Sequence, residues 1–88
     1  MGPYSVYRLL NHSTQEAYFG ITKESKDVNK DYLISSRKEL EDWDCETDDV
    51  NLYFLHKDLS RELASELVKE YEEKKYQIPN SYHVIRAS

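Results

Sequence analysis

Two short runs of aromatic and aliphatic residues, Tyr4 to Leu10 and Glu16 to Thr22, stand either side of a polar interruption, Asn11-His12-Ser13-Thr14-Gln15. Runs of this length and composition read as strands, and a linker of about five residues suits an antiparallel hairpin. Gly20 sits inside the second run. A glycine there weakens a strand unless something must approach its backbone closely.

Downstream, Lys23 to Asn29 forms a charged connector, after which Leu33, Ser36, Leu40 and Trp43 recur at spacings of three and four. That period predicts one amphipathic helix. Asp44 to Asp49 reads as an acidic turn, and Val50 to Leu55 as a third strand. Ser60 is placed to cap a second helix with an inward stripe of Leu63, Ala64, Leu67, Val68 and Tyr71, running to about Lys75. Pro79 and Asn80 mark its stop, and the tail from Ser81 to Ser88 has room for one further extended segment. The expectation is a single α/β (α+β) domain over residues 1–88. Its sheet is expected to be small, antiparallel and three-stranded, flanked by helices in the order β-β-α-β-α.

An 88-residue chain with 33% charged residues, two glycines and two prolines has the balance of one folded unit and not of a disordered tail. The single cysteine, Cys45, excludes an internal disulfide and fits a reducing compartment. Neither a leader-like N-terminus nor an apolar run of membrane-spanning length is present, so a cytoplasmic protein without membrane contact is expected. The net charge of −5 repels a phosphate backbone, so nucleic-acid binding requires a local basic patch or a bridging metal ion. His12, His56 and His83 are too dispersed for a zinc motif and read as surface groups.

Ten residues separate Ser5-Val6-Tyr7 from Tyr18-Phe19-Gly20, with Leu9 and Asn11 two and four positions after the first tyrosine and Thr22 two after the glycine. This pattern resembles the hairpin of the GIY-YIG nuclease superfamily, with Ser5 in place of the first glycine and Phe19 in place of isoleucine. The order of the later elements is consistent with the same family over nearly the whole chain.

The resemblance implies a divalent-metal-dependent endonuclease that hydrolyses phosphodiester bonds of nucleic acid, with DNA favoured over RNA, and with Mg2+ or Mn2+. It places Tyr7 and Tyr18 at the phosphate with Tyr32 assisting, and Gly20, Lys23 and Asn80 as substrate contacts. It also implies a metal-binding glutamate on the second helix, assigned to Glu66 with Glu70 in reserve from the row Glu62, Glu66, Glu70. The family's arginine would fall at Val28. Lys26 and Lys30 lie near it, and Arg37 is one heptad beyond Lys30, about 10 Å along a continuous helix. Lys30 or Arg37 is therefore the expected electropositive group, and lysine lacks the planar, bidentate grip of guanidinium. Val28, Ser5 and the net charge of −5 also suit a rival reading, a degenerate domain that binds a protein partner without hydrolysis.

Overall fold

The computed structural model describes residues 2–23 and 28–86, so Lys26 and most of the connector before Asn29 lie outside the described residues. Strands β1 (Tyr4–Asn11) and β2 (Glu16–Lys23) form the expected antiparallel hairpin, in register from Tyr4 opposite Lys23 to Asn11 opposite Glu16. Buried Asn11 builds the turn. Its Oδ1 accepts the backbone N–H groups of Ser13 at 2.9 Å and Thr14 at 3.1 Å, and Gln15 takes a left-handed φ of 57°. An asparagine side chain that folds back on the next residues mimics a backbone turn, which is why the reversal falls here.

Strand β3 (Val50–Leu59) pairs antiparallel with the other edge of β1 and runs well past Leu55. Its register with β1 shifts between Tyr4 and Val6, where Asp58 adopts φ 59°, the signature of a bulge. Strand β4 (His83–Ile85) pairs in parallel with Glu16–Tyr18 of β2. The sheet is therefore four-stranded and mixed, ordered β3-β1-β2-β4, not the three-stranded antiparallel sheet expected, and the element order is β-β-α-β-α-β. The physical reason is an unpaired edge. The second helix carries the chain across one face of β1 and β2, and the tail returns alongside the start of β2, whose outer N–H and C=O groups need partners.

The expected single helix after the connector is also corrected. Helix α1 spans only Lys30–Ser35, capped by the Asn29 side chain, and a separate 3-10 turn covers Lys38–Leu40. Ser35 and Ser36 hydroxyls donate back to the carbonyls of Tyr32 and Leu33 at 3.2 and 3.3 Å, and Arg37 is extended at φ −113°, ψ 119°. Serine back-bonding competes with the helical ladder, and the chain breaks at this point. Helix α2 (Arg61–Lys74) forms as read, with Ser60 Oγ accepting the N–H of Leu63 at 3.2 Å and Lys75 closing it in the left-handed region. Its buried face is Ala64, Val68, Tyr71 and Glu72, whereas Leu63 is 46% exposed.

Both sheet faces are covered. Val6, Leu10, Ala17 and Phe19 pack under α2, while Tyr7, Leu9 and Tyr18 pack with Leu33, Ile34, Leu40, Trp43 and Val50 on the other side. This double coverage explains why β1 and β2 read as nearly continuous apolar runs. Among the described residues, no helix is long and apolar enough to cross a membrane.

Candidate functional site

Beyond Tyr18, the outer edge of β2 is no longer covered by β4, which pairs only with Glu16–Tyr18. A cleft of about 1040 Å³ opens there, walled by the end of β2, by α1 with the segment after it, and by one face of α2. Alternation along β2 sends Tyr18, Gly20 and Thr22 to one side of the strand, and all three line the cleft.

Tyr7 lies opposite Gly20 on β1, and an added Cβ at Gly20 would overlap the Tyr7 ring, coming within 2.8 Å of Cε2. Gly20 is needed because the phenol crosses its strand there. The close approach at Gly20 is made by the ring of Tyr7, directly opposite it, and not by a substrate phosphate. Tyr7 is fully buried, with its ring centroid 6.2 Å from that of Tyr18.

Arg37 completes this arrangement. Its Nε donates to the Tyr7 hydroxyl at 3.2 Å, and its Nη2 donates to the Ile21 carbonyl. The helix break at Ser36 makes this reach possible, since the extended backbone of Arg37 turns its side chain toward the sheet. Of the two cations weighed from the sequence, Arg37 lines the cleft and Lys30 does not. Val28, at the family's arginine position, lines the cleft too, with Tyr32 exposed at its wall.

Burial pushes the Tyr7 phenol above its ordinary value, and the nearby Arg37 charge only partly offsets this. Burial also raises Tyr18, reinforced by Tyr7 and by Glu39, whose Oε2 accepts the Tyr18 hydroxyl at 3.3 Å. Both phenols are therefore neutral near pH 7. Burial works against charge on Arg37, but the oxygens of Tyr7, Tyr18 and Glu39 outweigh it, and the guanidinium stays ionised.

Neither glutamate assigned from the sequence faces the cleft. Glu66 is exposed elsewhere on α2, and Glu70 is paired with Lys74 at 3.3 Å. The carboxylate of α2 that lines the cleft is Glu72, only 6% exposed. It lies one turn beyond Val68 and two beyond Ala64, on the buried face, whereas Glu66 is two residues from each and so about 200° around the helix. A glutamate in step with the apolar stripe was the readable signal. Glu39, Arg61 and Lys69 also line the cleft and carried no signal of their own in the sequence.

Of the substrate contacts expected, Gly20 and Lys23 line the cleft. Asn80 does not; its carbonyl accepts Lys75 Nζ at 3.1 Å in the turn after α2. Asn11, which carried part of the resemblance, has a structural role: its Nδ2 donates to Asp48 at 2.8 Å. His12 is likewise no simple surface group. It accepts from Asn51 Nδ2 at Nε2, which leaves Nδ1 protonated to donate to the Tyr82 hydroxyl.

The cleft carries four cations, Lys23, Arg37, Arg61 and Lys69, against two carboxylates, Glu39 and Glu72, reversing the sign of the whole chain. Among the described residues, no group of three or more His, Cys, Asp or Glu side chains is placed to hold a metal ion. One or two carboxylates are nonetheless sufficient for magnesium when substrate phosphate and water complete the shell, and Glu72 fits that donor set. Comparison with known proteins finds no family model, no curated protein and no solved structure that matches the chain.

Proposed function

We propose that this chain is a GIY-YIG-type endonuclease domain that hydrolyses phosphodiester bonds in nucleic acid with the help of a divalent ion. The observation that carries this reading is the Arg37–Tyr7 hydrogen bond, at 3.2 Å, beside a cleft shared with Tyr18, Glu39 and Glu72. The guanidinium missing at Val28 is supplied from Arg37 instead.

In this mechanism Arg37 offsets the charge that builds on the phosphoryl oxygens, a role worth several kcal/mol where donors are preorganised in a partly dry site. Water adds to phosphorus, the bond to the leaving oxygen breaks, and the water proton must be carried away. The neutral hydroxyl of Tyr18 acts as a relay to Glu39, which already accepts from it, while buried Tyr7 positions Arg37. Glu72 would hold Mg2+ or Mn2+, which when bound polarises a phosphoryl oxygen and acidifies water.

The test is incubation of purified protein with single-stranded, duplex and branched DNA and RNA in Mg2+ or Mn2+. Cleavage lost in Glu72→Gln and Arg37→Lys supports the reading. Substrates left intact by the wild-type protein in both ions overturn it.

One observation favours a second reading, a non-hydrolytic module that binds a protein partner: Tyr7 is fully buried, and no solvent reaches its phenol. Under that reading, adding Mg2+ moves no amide resonances near Glu72. Localised shifts there, lost in Glu72→Gln, would exclude it.

A further inference from the structure

Helix α2 sorts its charges by face. Five glutamates lie on it, and of these Glu62, Glu66, Glu70 and Glu73 are exposed away from the cleft, while Glu72 alone lines it. The cations divide in the opposite sense, with Arg61 and Lys69 lining the cleft and Lys74 paired to Glu70 on the outer side. Ser65 lies between Arg61 and Lys69, so the three form an i, i+4, i+8 row on one side of the helix, each exposed to solvent.

We propose that Arg61, Ser65 and Lys69 form a rail for the phosphates of one nucleic-acid strand and lead it to Glu72. The proposal rests on the endonuclease reading and adds to it the path and the contacts of the strand. At 1.5 Å per residue, Arg61 and Lys69 are about 12 Å apart along α2 and Lys69 and Glu72 about 4.5 Å apart along the same axis, so the row spans more than one phosphate before the reacting one. The Arg61 guanidinium lies over the Tyr4 ring at 5.8 Å, which holds it at the cleft mouth before any ligand arrives. Lys23, at the end of β2, supplies a cation on the facing wall. In a chain of net charge −5, two cations on the cleft face with four glutamates turned away make that face favourable to a polyanion. Hydrogen bonds and charge directed at phosphate give register and orientation without reading bases, so the rail serves DNA and RNA strands alike.

The experiment is fluorescence anisotropy with labelled oligo-dT and oligo-rU in EDTA, so that binding is read without cleavage. The salt dependence of affinity is compared for wild type, Arg61→Ala, Lys69→Ala, the double variant and the outer-face control Lys74→Ala. For a single strand, each lost phosphate contact lowers the slope of log K against log salt by about 0.7. The proposal expects that loss in each cleft variant, roughly twice as much in the double, and none in Lys74→Ala. Loss with both oligonucleotides assigns the rail to the phosphates they share, and loss with one alone assigns it to that strand type. Wild-type binding with slopes unchanged in all variants overturns the rail while leaving the endonuclease reading standing. Absence of wild-type binding to either oligonucleotide at low salt overturns the rail, and cleavage in Mg2+ or Mn2+ then decides the endonuclease reading separately.

Discussion

The two ends of the β1–β2 hairpin are made of the same strands and put their polar residues to opposite uses. At the turn end, Asn11 bonds Ser13, Thr14 and Asp48, Ser13 accepts from Asp49, and His12 joins Asn51 to Tyr82. Each group there is spent on another part of the fold. At the open end, Thr22, Lys23, Arg37, Arg61 and Lys69 surround a cleft, and β4 stops short of it. The contrast separates polar groups spent within the fold from a cleft lined by more cations than carboxylates. Polar groups that satisfy each other hold a structure together, whereas an excess of cations around a cavity makes it a candidate site for an anion.

The largest expected effect belongs to the open end. On the endonuclease reading, Arg37→Lys and Glu72→Gln should each lower cleavage per folded molecule by about 10²- to 10³-fold, and Arg37→Lys should also lose some stability, because the Tyr7 hydroxyl and the Ile21 carbonyl lose their donor. A loss of cleavage that only tracks unfolding would erase the distinction between the ends. At the turn end the pattern should invert. Asn11→Ala, which strands the Ser13 and Thr14 amides and Asp48, should cost about 1–3 kcal/mol in chemical denaturation and leave cleavage per folded molecule unchanged. Gly20→Ala joins the two behaviours, because the new methyl displaces the Tyr7 ring from Arg37. Overpacking of this kind costs about 1–3 kcal/mol, and cleavage should fall as well.

A smaller effect is expected with pH. The folded-state pKa values of Tyr7 and Tyr18 are raised, chiefly by burial, so above pH ~10 the unfolded chain releases protons that the folded one retains. The contribution is fully present below the ordinary phenol value and is lost as pH rises toward the raised ones. Stability measured by urea at pH 8 and pH 10.5 should therefore decline, and Tyr7→Phe or Tyr18→Phe should flatten the decline. Smallest of all, Lys74→Ala removes an exposed pair with Glu70 far from both ends and should change stability by no more than about 0.5 kcal/mol.

Local features were legible wherever a residue's role depended on its immediate neighbours. The hairpin followed from two apolar runs and a short polar break, and the start of α2 followed from Ser60. The α1 segment misled, because spacings among Leu33, Ser36, Leu40 and Trp43 fit a helical period while paired serines stop the helix between them. The misassigned glutamate has a similar origin. Of the expected stripe, Ala64, Val68 and Tyr71 are buried and Leu67 packs at their edge, but Leu63 is exposed, so Glu66, assigned for its place beside Leu63 and Leu67, lies off the buried face.

The amino-acid order alone thus settled the elements whose signals are short in range: the β1–β2 hairpin and the cap at Ser60. Only the tertiary structure decided that Arg37 reaches Tyr7, that Glu72 and not Glu66 faces the cleft, and that the tail forms a parallel fourth strand. Those outcomes depend on the rotation of one helix, the break of another and the edge left open on β2. Each is fixed by which apolar faces fit together at once, a condition no local window of residues contains.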